Sequence, residues 1–273
     1  MKFLILIRTG MIITLSFINI IFSISSFANV VIVISDLDDT IKKSNVMNTR
    51  EMVIRHLWGN VEPFDKLIAI YQNIKTYYEK KGDDVRFFYL SLSPSMLNVS
   101  DWLLENDVPD ASKEGTIRQR SIKEMFENKC NFKIRALKEF IQETISNLTS
   151  VDSLDVDIRD RNVDGCLGSE SDKKERSKIK VLFFGDNAEY DQEAYKSVVS
   201  DVELDLKNKK VETEIFIRKV DAKKPEMLGI NYFTSEMDLL NNKILKDVID
   251  GKLKEAIIKD FEDGVLIPEY IPH

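Results

Sequence analysis

A doubly wound α/β domain, with a parallel sheet covered by helices on both faces, is the fold this sequence predicts. Three observations carry that expectation. Apolar, β-branched or aromatic runs recur at Val30–Ser35, Val85–Leu90, Ile179–Phe184 and Glu214–Val220, and helical patterns separate them. VVIVIS and KVLFFG are apolar almost without interruption, as strands buried on both faces must be. Finally, 43% hydrophobic and 31% charged residues over 273 positions is globular composition, which excludes a disordered or collagen-like chain.

Ahead of the first strand lies a targeting segment. MKFLILIRTGMIITLSFINIIFSISSFA carries Lys2 and Arg8, an apolar run from Met11 to Phe22, and small residues Ser26 and Ala28 at its end, with no acidic residue. That is the layout of a signal peptide, residues 1–28, cleaved after Ala28. An uncleaved membrane anchor is the alternative. Arg8 interrupts its apolar span, however, and the strand-like run at Val30 follows with almost no linker. The expectation is an exported domain, residues 29–273, periplasmic or secreted. In such a compartment Cys130 and Cys166 are able to bridge or to stay as separate thiols, and spacing does not choose between these.

Between the strands, Phe64 to Tyr78 places Leu67, Ile68, Ile70, Tyr71 and Ile74 at helical spacing, and Lys133 to Leu148 is likewise amphipathic. Ser95–Leu104, Glu189–Leu206 and Ser235–Ile249 also read as helices. The stretch 145–178 is polar and rich in Asp, Ser and Arg, which marks an insertion or long loop.

Charge and composition narrow the function. With 39 basic against 46 acidic residues the net charge is -7, which argues against general nucleic-acid binding. Two cysteines exclude a Cys-rich zinc site. The histidines are His56 and His273, so a Ser-His-Asp hydrolase would rest on His56, in a helical stretch.

In doubly wound sheets ligands bind at the carboxyl ends of the strands. VVIVIS runs into DLDDT there, with Asp36 and Asp38 two residues apart and so on one side of an extended chain. KVLFFG runs into GDNAEYD, adding Asp186 and Asp191, and the third run ends in SLSP, adding Ser91 and Ser93. Carboxylates this close ionise together only with a cation between them. Oxygen ligands suit a hard cation such as Mg²⁺, and a carboxylate beside it is able to act as a nucleophile toward phosphorus.

VVIVISDLDDTIK resembles the first motif of the haloacid dehalogenase superfamily, FFYLSLSP the second, FKIRALKEFIQE the third and VLFFGDNAEYDQEAY the fourth. Within that superfamily SDLDDTIK, YLSLSPSML, KIRAL, GDNAEYDQEAY and EIFIRKV resemble the catalytic domain of the actin-patch-protein type of phosphatidate phosphatase, from about Val30 to Val220. The resemblance implies that Asp36 is the nucleophile and a metal ligand. Asp38 would be general acid and then base, lending the metal its backbone carbonyl. Ser91 would hold a phosphoryl oxygen, and Lys133 would neutralise charge. Asp186 would ligate Mg²⁺, with Asp191 supporting that shell. Thr40, Lys42, Ser93 and Asn187 would line the substrate site. Lys129 and Lys138 are alternatives to Lys133 under a shifted alignment. The resemblance also implies a small helical cap at 41–84, where Met47, Met52 and Trp58 would form an apolar lid. The same apolar residues also suit helices packed on the sheet.

One further motif lies in the polar insertion. Asp160, Asn162, Asp164 and Gly165 follow the first half of a calcium loop, with Glu170 one position early for the closing ligand. The resulting expectation is a secreted, Mg²⁺-dependent phosphomonoesterase working through an aspartyl-phosphate. Its substrate would be phosphatidate at a membrane surface or another phosphate ester. A catalytically idle relative that binds Ca²⁺ or a partner is the alternative of a different class.

Overall fold

The computed structural model describes residues 29–44, 61–97, 99–159, 178–205 and 211–265, with backbone alone at 147–159 and 202–205. Residues 1–28, Met47, Met52 and Trp58, His56, Cys166 and the residues that follow a calcium-loop pattern, Asp160, Asn162, Asp164 and Glu170, all lie outside the described residues.

The strands are β1 (Val30–Asp36), β2 (Asp84–Pro94), β3 (Ile117–Arg120), β4 (Ile179–Asp186), β5 (Val211–Arg218) and β6 (Asn231–Phe233). They form one six-stranded sheet in the order β3-β2-β1-β4-β5-β6, and every neighbouring pair is parallel. The helices are α1 (Asp65–Lys80), α2 (Val99–Glu105), α3 (Lys129–Arg159), α4 (Asp191–Asp205), α5 (Glu236–Leu239) and α6 (Gly251–Glu262).

Strand periodicity sorts the core into two layers. Val30, Ile32 and Ile34 of β1, with Val181 and Phe183 of β4, face Phe132, Leu137 and Ile141 of α3 and Tyr195 and Val198 of α4. Val31 and Val33, with Leu182 and Phe184, face Leu67, Ile70, Tyr71 and Ile74 of α1 and Leu253 and Ile257 of α6. Burying each of these large side chains contributes about 1.5–3 kcal/mol. That is why alternating polar residues are absent from β1 and β4. Steps outward from β1 carry α1 and α2 to one face, while the return from β3 to β4 and the step on to β5 carry α3 and α4 to the other, as a constant crossover hand requires. The direction of winding reverses between β1 and β4, so the crevice at their carboxyl ends is the switch point where such sheets bind ligands.

The four central strands are where the sequence places them. The edge strands β3 and β6 are additions, because IRQR and NYF are too short and too polar to carry a strand pattern. The single helix expected over Ser235–Ile249 is instead the short α5, followed by turns. Asn242 breaks it, its side-chain carbonyl accepting from the Ile244 and Leu245 amides. A helix does form further on, where Asp250 caps α6 by accepting from the Leu253 amide at 2.8 Å. Helix α3 continues through Arg159, well into the stretch read as an insertion. Within the expected cap region, α1 is a core helix whose apolar stripe packs on the sheet.

Candidate active site at the switch point

The last residue of β1, Asp36, is fully buried. Its Oδ1 accepts from Lys133 Nζ at 2.8 Å, and the same ammonium donates to Asp191 Oδ1 at 2.5 Å. Lys133 sits one turn into α3 and Asp191 opens α4, so both helices of one face aim charged side chains at the end of β1. Of the three candidate lysines, only Lys133 is in the crevice. Lys129 pairs with Glu189 and Lys138 with Asp201, both at the surface.

The end of β4 closes the group. Asp186 Oδ1 accepts from the Ala188 and Glu189 amides, and Asp191 Oδ2 accepts from the Asp186 amide at 3.1 Å. Asp191 approaches β4 so closely that Gly185 has no room for a side chain: a Cβ there would lie 2.7 Å from Asp191 Cβ. Gly185→Ala is therefore expected to cost about 1–3 kcal/mol of stability in a urea titration and to lower turnover by displacing Asp191. A fully stable, fully active variant would show that this close approach does not matter.

Three buried carboxylates, Asp36, Asp186 and Asp191, each bring an oxygen within 4.8 Å of the others. Ionised together with one lysine they leave two uncompensated negative charges in a dry site. Burial, then the charge of Asp191, pushes both Asp36 and Asp186 well above the ordinary carboxylate range. Burial also raises Asp191, against the pull of Lys133. Burial by itself would depress Lys133, but Asp191 and Asp36 outweigh it and hold the ammonium well above its usual value. Asp36 Oδ2 and Asp186 Oδ2 are buried without a hydrogen-bond partner among the described residues. An all-oxygen donor set, two unshared carboxylate oxygens and a charge deficit of two fit a divalent cation.

Asp38 faces a second group. Its Oδ1 accepts from Ser44 Oγ at 2.5 Å, and its Oδ2 accepts from Ser91 Oγ at 3.1 Å and Ser93 Oγ at 3.3 Å. Lys42 Nζ lies 3.9 Å from Oδ1, and burial lowers its pKa despite that neighbour. A left-handed turn at Asp39 (φ 55°) folds the chain back so that Asp38 and Lys42 share the crevice. The carboxylate of Asp38 is thus apart from the three-carboxylate group. Thr40 is buried, its hydroxyl without a partner among the described residues. Asn187 is occupied in fastening the loop after β5: its Oδ1 accepts from the Val220 and Asp221 amides, and its Nδ2 donates to the Asp221 carbonyl.

Other residues join the site without a motif to announce them. Ser44 is one, a serine in a polar stretch. Ser35 Oγ donates to the Asp36 carbonyl at 2.6 Å and bonds the Tyr71 hydroxyl at 2.9 Å, tying the end of β1 to α1. Its only signal is a polar residue closing an apolar strand. Arg218, at the end of β5, makes a buried 2.6 Å ion pair with Glu236 beneath the same edge.

A parallel sheet whose switch point gathers an aspartate-ended first strand, a helix-borne lysine and a second acidic strand end sets a carboxylate beside a site for a divalent cation, the arrangement that phosphoryl transfer needs. Residues 31–151, less than half of the chain, match the family described as the phosphatidate phosphatase APP1 catalytic domain, which the sequence motifs resemble. No curated protein matches the chain. A solved class C acid phosphatase from Bacillus anthracis with tungstate bound is similar at 18% identity, over 89% of this chain and 83% of that one. The TM-score of that match is 0.27.

Proposed function

We propose that the domain is a Mg²⁺-dependent phosphomonoesterase that works through an aspartyl-phosphate on Asp36, with phosphatidate as its substrate. The observation that supports this best is the buried Asp36–Lys133–Asp191–Asp186 group with its two unshared carboxylate oxygens. The family matched by residues 31–151, described by a phosphatidate phosphatase, supports a lipid substrate. Export with loss of residues 1–28 belongs to the same proposal and rests on the sequence alone.

Asp36, Asp186 and Asp191 would hold the cation, which when bound supplies charge neutralisation for the carboxylates and the phosphoryl oxygens. A carboxylate oxygen of Asp36 attacks phosphorus, and the ester P–O bond breaks. Asp38, on the substrate side with Ser91 and Ser93, delivers a proton to the leaving oxygen. Asp38 then takes a proton from a water molecule whose oxygen attacks the phosphoryl group. The acyl phosphate bond breaks, inorganic phosphate leaves and Asp36 is restored as carboxylate. Lys133 keeps its ammonium on Asp36 throughout, and Ser91 and Ser93 release hydroxyls from Asp38 to the phosphoryl oxygens.

Phosphate release from phosphatidate in mixed micelles, and from a soluble aryl phosphate, tests the reading directly. Turnover of both is expected, lost on chelation and restored by Mg²⁺. Absence of turnover of either ester by a folded protein with Mg²⁺ present would overturn it.

A further inference from the structure

Large apolar side chains are exposed on the loops that leave β2 and β3 at the catalytic edge. Met96 is 67% exposed, Ile122 63%, Met125 42% and Phe126 91%. Met96 follows Ser93, whose hydroxyl reaches Asp38, by three residues, so this ridge borders the mouth of the crevice.

The display is built rather than loose. The Ser95 amide donates to the Arg120 carbonyl at 2.9 Å, and Gln119 Nε2 donates to the Pro94 and Leu97 carbonyls. The buried Arg120 guanidinium donates to the carbonyls of Glu124, Met125 and Glu127. Those bonds fix the loop with Met125 and Phe126 turned outward, at the hydration cost of exposed apolar surface.

Glu124 pairs with Arg118 and Arg135, and Glu127 with Arg135, which also reaches Glu139 on α3, so the carboxylates beside the ridge are paired, while exposed Lys123 makes no ion pair among the described residues. Fixed apolar side chains with such a lysine between them are what an anionic lipid interface receives. A protein partner on this edge would cover the crevice, whereas a bilayer brings the phosphate ester to it.

We propose that this ridge, Met96, Ile122, Met125 and Phe126 with Lys123, is a docking surface that inserts into an anionic lipid interface and presents headgroups to the crevice. The inference rests on the phosphatase reading above. The test is a full-length chain carrying Phe126→Trp, mixed with phosphatidylcholine vesicles containing phosphatidate. Its emission, as the difference from the parent protein, is expected to shift to shorter wavelength and to be quenched by brominated acyl chains. Phe261→Trp, on α6, is expected to show neither. Met125→Ser with Phe126→Ser is expected to lower turnover of vesicular phosphatidate about tenfold or more, given what burying two such side chains contributes, and to leave soluble aryl phosphate turnover within about twofold.

A Phe126→Trp emission that vesicles leave unchanged overturns the proposal. So does a double variant as active on vesicles as its parent, or an emission shift that appears with protein concentration and no lipid, which would mean self-association. The emission readout needs no turnover. A wild-type chain inactive on both phosphatidate and the soluble ester would therefore strike down the phosphatase reading, and a Phe126→Trp chain insensitive to lipid the docking surface.

Discussion

Asp36→Asn is expected to abolish turnover and, in the metal-free protein, to make the fold more stable. The loss of a nucleophile should lower activity by roughly 10⁴-fold or more. The gain in stability follows from the charge count. Asp36 is one of three carboxylates sharing one lysine in a fully buried site, and its Oδ2 has no partner among the described residues. Removing that charge is expected to stabilise by about 1–3 kcal/mol. Because burial raises the Asp36 pKa in the folded state, the native protein holds its proton to higher pH than the unfolded chain does. Stability from that proton is present at low pH and is lost as pH rises through the folded pKa. The advantage of the variant should accordingly be small in acid and grow toward neutral pH. Urea titrations at several pH values in chelator measure this, and a variant less stable than its parent at neutral pH would refute the charge count.

Lys133→Met should act in the opposite direction. It leaves Asp36 and Asp191 buried without their shared cation, a change expected to destabilise the metal-free protein by about 3–5 kcal/mol. Turnover should fall roughly 10³-fold, since the ammonium also stabilises charge developing at Asp36. Two conditions should restore stability: low pH, which protonates the stranded carboxylates, and saturating Mg²⁺, which takes over the role of the cation. Thermal melts with and without Mg²⁺ separate this account from simple loss of packing around α3, which neither condition would repair.

The sequence was most legible where burial and chemistry coincide. VVIVIS and KVLFFG announce central strands because both of their faces are covered, and their acidic ends fall at the switch point because parallel strands align their carboxyl ends. Lys133 needed the structure to be separated from Lys129 and Lys138, since helical spacing alone leaves all three on offer. Ser44 and Ser35 were invisible because a serine hydroxyl owes its role entirely to what lies across from it. Asn187 looked like a substrate ligand from its place beside Asp186, yet its amide is committed to the backbone after β5, a pairing between strands that adjacency in sequence does not reveal. The helix expected at 235–249 failed for a local reason, the Asn242 side chain competing for amides that a helix would use.

The parallel sheet also gives the molecule a head and a tail. Val30 donates its amide to the Lys178 carbonyl and Asn29 accepts from the Lys178 amide, so the chain enters both central strands at one edge, and the crevice lies at the other. Along the seven residues of β1 the two are separated by about 20 Å. A tether ahead of Asn29 would therefore point the crevice away from the surface that holds it, toward whatever membrane stands opposite. Cutting that tether frees the molecule to turn around. With residues 1–28 removed, as proposed above, the crevice would be free to face either way, with no change to any residue of its site.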